Sequence, residues 1–127
     1  MFSKYFGILK SYVLNKKVEL EKIDDFFLKL KSCDDDTVFM LINPFLLRTY
    51  DFKIPKYFEN ILELEESKSK LILNIMIIAT PIESSVVNFI APLIFNTDKH
   101  YVAQVLLDSN TYKEYGIMEN ISNYLDG

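Results

Sequence analysis

Hydrophobic and polar positions alternate along residues 26–32, FFLKLKS, in the period of two that is typical of a strand with one solvated face. The even-numbered residues, beginning with Phe26, are expected to point to one side and the odd-numbered residues to the other. Residues 33–37, CDDDT, predict a turn, because three adjacent aspartates resist burial. Residues 37–43, TVFMLIN, are apolar on both faces and predict a central strand. The pattern therefore predicts a β-hairpin over residues 26–42.

The apolar run of the second strand breaks at Asn43-Pro44 and restarts as FLL before it ends at Arg48. In residues 54–66, IPKYFENILELEE, the period of two is lost, and the apolar side chains recur every three or four residues. Pro55 lies where the first turn of a helix tolerates proline. This segment is predicted to form a helix.

Strand patterns return from residue 71, in LILNIMIIATP, SSVVNFIAPLIFNT (84–97) and HYVAQVLLD (100–108). Pro92 interrupts the second of these runs and predicts a bend, a bulge or an edge, because proline cannot donate to a central ladder. The last segment places Ile117, Ile121, Tyr124 and Leu125 on one helical face, which predicts a short C-terminal helix.

These elements together predict a mainly β fold. It is a small antiparallel β-barrel-like or strongly curved sheet, with one or two short peripheral α-helices at about 54–66 and 117–125. The length of 127 residues favours a single domain over residues 1–127.

Charge and composition narrow the function classes. The net charge of −4 and the sequence pI of about 5.0 disfavour direct nucleic-acid binding and suit a partner with a basic surface. The longest apolar stretch (71–82) contains Asn74, Thr80 and Pro81 and is far shorter than the roughly 20 residues that span a bilayer. We expect a cytoplasmic protein that does not bind membranes.

Candidate chemistry is sparse. His100 is the only histidine and Cys33 the only cysteine, and the negative charges of Asp34 to Asp36 beside that thiol disfavour a reactive thiolate. The aspartate run lacks the alternation, the glycine and the distal glutamate of a calcium loop. We therefore expect no catalytic residue, no metal site and no cofactor. An enzyme would need a cleft uniting His100 with a carboxylate such as that of Asp98.

Two blocks, FMLINPFLLRTYDFKIP and PIESSVVNFIAPLIFNTDKHYVAQVLLDSNTY, carry a specific resemblance. In this order and at this separation, they resemble the family of the flagellar assembly factor FliW over roughly residues 26 to 112. The stretches IDDFFLKLKS and PIESS are similar to its epsilonproteobacterial branch. The segment before residue 23 departs from the family, since it lacks the Gly-Phe-Glu turn after the first strand. The matching positions are Ile42, Asn43, Pro44, Asp51, Phe52, Val87, Asn88, Ala91, Pro92, Asn96, Gln104, Val105, Leu107, Asp108 and Tyr112.

The resemblance implies a non-catalytic cytoplasmic protein that binds flagellin and the translational regulator CsrA. It further implies that CsrA is antagonised allosterically, which couples flagellin synthesis to export. An alternative is a small-ligand-binding β-barrel whose phenylalanines and tyrosines line a pocket.

We expect the partner-binding residues to be exposed near the strand breaks. The asparagines among them could instead cap turns or satisfy backbone groups at bulges. The C-terminal helix is a further candidate surface. The candidate residues are Asn43, Phe45, Arg48, Tyr50, Glu83, Ser84, Asn88 and Asn96.

Overall fold

The computed structural model of the protein describes residues 4–9, 16–66 and 69–125. Most of these residues belong to one sheet and to the segments that cover it. The strands are β1 (Lys4–Leu9), β2 (Lys16–Lys22), β3 (Phe27–Ser32), β4 (Val38–Ile42), β5 (Lys70–Ile77), β6 (Val86–Val87), β7 (Leu93–Asn96), β8 (Tyr101–Gln104) and β9 (Glu119–Asn120). The α-helix described is α1 (Lys56–Ile61), and 3-10 turns cover Pro44–Leu46, Leu64–Glu66, Ile82–Ser84 and Ile121–Tyr124.

The sheet curls back on itself. Its strand order is β4-β3-β2-β1-β8-β7-β5-β6-β9, and β4 also pairs with β5. This extra pairing closes a ring of seven strands, with β6 and β9 attached beside β5. The β1–β8 pair is parallel, and the other described pairs are antiparallel. The predicted mainly β, strongly curved antiparallel sheet is confirmed.

Both faces of this sheet are buried, because successive side chains along each strand point to opposite faces and each face packs into its own cluster. In β7, Leu93 and Phe95 point to one cluster of buried residues, and Ile94 points to another. The first cluster draws its buried members only from strands of the ring, which places it inside the curl. The second cluster packs the outer face against residues 43–64 and 105–124, so those segments act as a cover. Burial on both faces explains why the central strands read as nearly continuous apolar runs.

The predicted hairpin over residues 26–42 is confirmed as β3 and β4, which pair from Phe27 opposite Ile42 to Lys31 opposite Val38. One orientation within it is wrong. Phe26 was expected on the same side as the interior residue Leu30, but it precedes the strand and is exposed. Phe27 instead packs against the outer cluster.

The break predicted at Pro92 is a bend. It separates β6 from β7, and the chain there is still paired, because the Val105 amide donates to the Pro92 carbonyl (2.9 Å) and the Leu107 amide to the Ile90 carbonyl (2.8 Å). Proline fits this position because the pairing uses its carbonyl and not the missing N–H.

The predicted helix over 54–66 is shorter than expected. Helix α1 ends at Ile61, and Glu63 then adopts a left-handed backbone conformation with φ of 55°, which interrupts the helix before the 3-10 turn Leu64–Glu66. Pro55 precedes the helix as its N-cap.

The predicted C-terminal helix over 117–125 is wrong. Residues Glu119 and Asn120 form β9, opposite Val87 and Val86 of β6, and a 3-10 turn follows. The Asn120 side chain accepts a hydrogen bond from the Ser122 amide (2.9 Å) and so starts that turn. Pairing to the edge of β6 gives this backbone hydrogen-bond partners that a two-turn helix would have found only within itself.

Among the described residues, no helix has the length and hydropathy needed to cross a membrane.

Candidate protein-binding site

The break at Asn43-Pro44 is held by a side-chain cap. The Asn43 Oδ1 accepts a hydrogen bond from the Phe45 amide (3.0 Å), and the Leu47 amide donates to the Pro44 carbonyl (3.0 Å). Pro44 is buried, whereas Phe45 is 54% exposed and Leu46 is also exposed. The turn therefore ends the strand and directs two large apolar side chains outward. Asn43 has the capping role that its sequence position also allowed.

Phe26 enlarges this exposed surface. It lies beside the Asn43 turn, since Phe27 and Ile42 are paired across β3 and β4. The Asp24 carboxylate accepts hydrogen bonds from the Phe26 and Phe27 amides (2.8 Å each), which fixes the turn that presents Phe26. We name Phe26, Phe45 and Leu46 the strand-break patch. The exposed carboxylates of Asp24 and Asp25 lie on the turn that carries Phe26.

Arg48, which follows the break at Asn43-Pro44, links its segment to the C-terminal part of the chain by side-chain contacts. Its guanidinium carbon lies 4.9 Å from the Tyr115 ring centroid, 5.3 Å from that of Phe89 and 5.5 Å from that of Tyr124. These distances fit cation–π contacts on three rings. We name these four residues, together with Glu119, the Arg48 cluster.

Polar contacts complete the Arg48 cluster. The Arg48 Nη1 donates to the Glu114 carbonyl (3.2 Å) and to the Tyr124 hydroxyl (3.1 Å), and it lies 3.7 Å from the Glu119 Oε1. Glu119 in turn accepts hydrogen bonds from the Tyr124 hydroxyl and from the Gly116 amide. Burial, followed by the Glu119 carboxylate, raises the pKa of Tyr124. Tyr124 therefore stays protonated and can donate to Glu119.

Tyr50 was expected to be exposed, and this is wrong. It is buried, its hydroxyl donates to the Phe89 carbonyl, and the Asn74 amide donates to the same hydroxyl (3.1 Å). Asn74 also donates to the Asn88 carbonyl (2.9 Å), and the Asn88 Oδ1 accepts from the Ala91 amide (3.1 Å). Burial raises the pKa of Tyr50. Tyr50 and the half-buried Asn88 satisfy backbone groups where β6 leaves β5.

Asn96 was also expected to be exposed and is completely buried. Its amide nitrogen donates to the Leu62 carbonyl (2.8 Å) and the Glu63 carbonyl (3.2 Å), and its Oδ1 accepts from the amides of Asp98 and Lys99 (3.0 Å each). It joins the end of α1 to the turn between β7 and β8. No surface for a partner is formed by its side chain.

Glu83 and Ser84 are exposed on a 3-10 turn that precedes β6. The next residue, Ser85, is buried, and its carbonyl accepts from the Ile121 amide (2.9 Å). These two candidates therefore lie beside the C-terminal 3-10 turn.

The structure thus brings Asn43, Phe45, Arg48, Tyr50 and Asn88 to one region, around the Phe89 backbone and ring. Within that region Phe45 is exposed, and Arg48 and Tyr50 support the surface from below. The ring centroids of Phe45 and Tyr50 are 6.2 Å apart, which links the exposed residue to the buried network.

Sequence reasoning did not find Glu119, Tyr115 or Tyr124 as members of this region. One signal was present, because Arg48 is the only arginine in the sequence and planar guanidinium groups favour aromatic faces. Phe26 was missed because it was assigned to the strand interior.

The small-ligand alternative requires a deep apolar cavity. One end of the ring has an opening of about 190 Å³ lined by Lys16, Val18, Leu30, Ser32, Thr37 and Phe39. Ligand pockets usually measure about 300–1,000 Å³. This opening is smaller and does not by itself support the alternative. Among the described residues, no group of three or more His, Cys, Asp or Glu side chains could hold a metal ion.

Comparison with known proteins gives consistent results. The family model described as "FliW protein" matches residues 6–120. The chain is 54% identical over 110 residues to flagellar assembly factor FliW 2 of Wolinella succinogenes, covering 86% of this chain and 81% of that protein. It is 53% identical over 111 residues to flagellar assembly factor FliW of Sulfurimonas denitrificans, covering 87% of this chain and 86% of that protein. Both relatives come from epsilonproteobacteria, the branch that the sequence resembled.

A solved structure supports the fold independently. The crystal structure of a flagellar assembly factor FliW aligns with a TM-score of 0.74 and 23% sequence identity, covering 83% of this chain and 74% of that one.

Proposed function

This chain belongs to the FliW family of flagellar assembly factors, and from that premise we propose that it binds flagellin and the regulator CsrA in the cytoplasm. Binding to CsrA antagonises that regulator allosterically and couples flagellin translation to flagellin export. The protein acts by binding, without catalysis. The family match over residues 6–120 is the observation that carries this proposal.

The strand-break patch is the surface that we propose for one of these protein partners. Exposed aromatic and aliphatic side chains on a rigid support are typical of the residues that dominate protein interfaces. Here the support is the Asn43 cap below Phe45 and the Arg48 cluster behind it. In this proposal four of the candidate residues do not contact the partner but keep the patch in its conformation: Asn43, Arg48, Tyr50 and Asn88.

Calorimetry with the flagellin and the CsrA of the source organism, run separately, tests the proposal. We expect binding to each at micromolar concentration or below. A second assay measures whether the protein releases RNA from CsrA, and allosteric antagonism predicts release without competition for the RNA site. Absence of binding to both proteins would refute the proposed function.

Two variants locate the surface. Phe45→Ser should weaken binding to one partner about tenfold, because a large side chain in an interface core contributes roughly 1–2 kcal/mol. Leu106→Ser, at a leucine that is 74% exposed and lies outside the strand-break patch, is the matched control. Equal effects of the two variants would contradict the assignment of the patch and leave the binding function intact.

A further inference from the structure

A second exposed apolar surface lies at the opposite end of β4. The first residues of that strand, Val38 and Phe39, are exposed, as are Ile77, the last residue of β5, and Ile78, which follows it. Met40 is paired with Met76, so the antiparallel register brings Phe39 next to Ile77 one step further along. We name these four residues the mouth patch. Strand β4 is five residues long, so roughly 16 Å separates this patch from the Asn43 turn.

One residue of the mouth patch, Phe39, lines the opening of the ring, whereas Val38 points to the outer face of β4 with Met40. Phe39 alternates with Leu41 and is paired with Leu30, so its ring is on the interior face. Together with Val18 and Leu30 it forms the apolar wall of the opening of about 190 Å³. Such an opening has room for one apolar side chain of a partner but not for a drug-sized ligand.

Acidic groups lie on one side of this opening. The turn between β3 and β4 carries Asp34, Asp35 and Asp36, all exposed. The Asp35 carboxylate accepts a hydrogen bond from the Thr37 amide (2.8 Å), which orders the turn, and it lies 3.5 Å from the Lys16 Nζ. Asp34 and Asp36 make no ion pair within the part of the chain that the structure describes.

Basic groups also lie near the patch, and one of them, Lys17, is exposed beside the aspartate turn, since its carbonyl accepts a hydrogen bond from the Cys33 amide (3.0 Å). Lys16 faces Asp35, and Lys31, which lies opposite Val38, is also paired in register with Glu19 on β2. Asp34, Asp35, Asp36 and Glu19 thus stand against Lys16, Lys17 and Lys31, so the acidic groups at this end exceed the basic ones by one, and the three aspartates are concentrated in one turn. A partner with basic residues around an apolar one would match both the charge and the shape of this end of the ring.

We propose that the mouth patch, with the acidic turn beside it, docks a basic amphipathic segment of a protein partner that inserts one large apolar side chain into the opening of the ring. This surface is separate from the strand-break patch, so the inference does not depend on the function proposed above. It would allow two protein contacts on one molecule.

The test uses the full chain labelled with ¹⁵N and a synthetic peptide. The peptide has about 14 residues of leucine and lysine, with leucines at three-four spacing. One control peptide replaces each lysine by glutamate, and another has the same composition in an order that destroys the amphipathic face. We expect amide shifts at residues 16–18, 30–39 and 77–78 with the basic amphipathic peptide and much weaker shifts with both controls.

Two variants then separate the apolar and the acidic contributions. Ile77→Ser, at a residue that is 60% exposed, should weaken peptide binding about tenfold. The double variant Asp34→Asn with Asp36→Asn should weaken binding several-fold and reduce its salt dependence. Ile117→Ser, at an isoleucine that is 66% exposed and outside the patch, is the control and should change binding less than twofold. Thermal denaturation of each variant verifies that it is folded.

The result that would overturn the proposal is equally specific. Shifts centred on the strand-break patch, equal binding of the acidic peptide, or equal weakening by Ile117→Ser would each refute docking at the mouth of the ring. Absence of shifts at millimolar peptide would refute it as well.

Discussion

Replacing Arg48 by methionine should destabilise the protein strongly, although Arg48 lies in the irregular segment that follows the Asn43 turn and not in a strand. Methionine preserves much of the length and the apolar contact of the side chain and removes the guanidinium. The lost cation–π contacts on three rings should together contribute about 1–2 kcal/mol, since contacts that share one cation do not add fully. The lost charge-assisted hydrogen bonds and the partly buried carboxylate left behind should contribute about 1–2 kcal/mol more. We expect a total loss of about 2–4 kcal/mol in the free energy of unfolding.

The chain offers a matched control for this charge removal. The Lys99 Nζ lies 3.8 Å from the Glu63 Oε1, close to the 3.7 Å between Arg48 and Glu119. The side chains of the Lys99 pair are 42% and 41% exposed, against 19% and 21% for the Arg48 pair. Because solvent screens an exposed pair, Lys99→Met should cost less than about 1 kcal/mol.

Urea unfolding followed by far-ultraviolet circular dichroism measures both losses. A double-mutant cycle of Arg48→Met with Glu119→Gln isolates the ion pair, for which we expect a coupling of about 1 kcal/mol. A loss for Arg48→Met no larger than that for Lys99→Met would refute the view that this cluster fastens the C-terminal segment. A coupling near zero would show that the three rings and the Glu114 carbonyl, and not Glu119, hold Arg48.

Three further perturbations test other parts of the site. Asn43→Ala should lower the free energy of unfolding by about 1 kcal/mol, because the Phe45 amide loses its hydrogen-bond acceptor. Asn43→Asp keeps an oxygen at that position and should therefore keep most of this stability. Tyr50→Phe should cost about 1–3 kcal/mol at neutral pH, since a buried carbonyl and the Asn74 amide lose their partner. Burial raises the pKa of Tyr50 above its ordinary value of 10.0, so the wild type should lose stability as pH rises above about 10, and Tyr50→Phe should lose less over that range. Hydrogen bonds from Thr37 lower the pKa of Asp35 to about 2, so its stabilising contribution is present above about pH 4 and disappears as pH falls toward 2. Thr37→Val should raise that pKa in a carboxyl-carbon NMR titration, and an unchanged titration would contradict the assigned cause.

Much of the fold followed from local patterns. The alternation in residues 26–32, the aspartate turn and the apolar run of β4 were sufficient to predict the hairpin over residues 26–42, which the structure confirms as β3 and β4. Two roles were open for Asn43, contact with a partner and capping of a turn, and the structure shows the cap. These features depend on side chains a few residues apart, so the sequence contains both partners of each interaction in one short window.

The candidate site was predicted less completely. The region around the strand break was identified, and Phe45 is exposed as expected. Tyr50 and Asn96 are buried, because their polar groups bind backbone groups that lie far away in sequence. No local pattern distinguishes a tyrosine that presents its hydroxyl to a partner from one that donates it to a carbonyl 39 residues away.

The sequence alone determined the strand-rich class, the positions of the breaks and, through two ordered blocks, the FliW family. Only the tertiary structure decided which side chains at each break are exposed. It also decided that Arg48 contacts Tyr124, 76 residues later in the sequence. Finally, it decided that the C-terminal segment forms a strand and a 3-10 turn. The spacing of Ile117, Ile121 and Tyr124 suits a helical face, but the exposed backbone edge of β6 offers hydrogen bonds to any segment that the folded chain brings beside it. The C-terminal segment can therefore form either a helix or a strand paired with β6. Long-range pairing decides between the two, and a local hydrophobic pattern contains no information about that pairing.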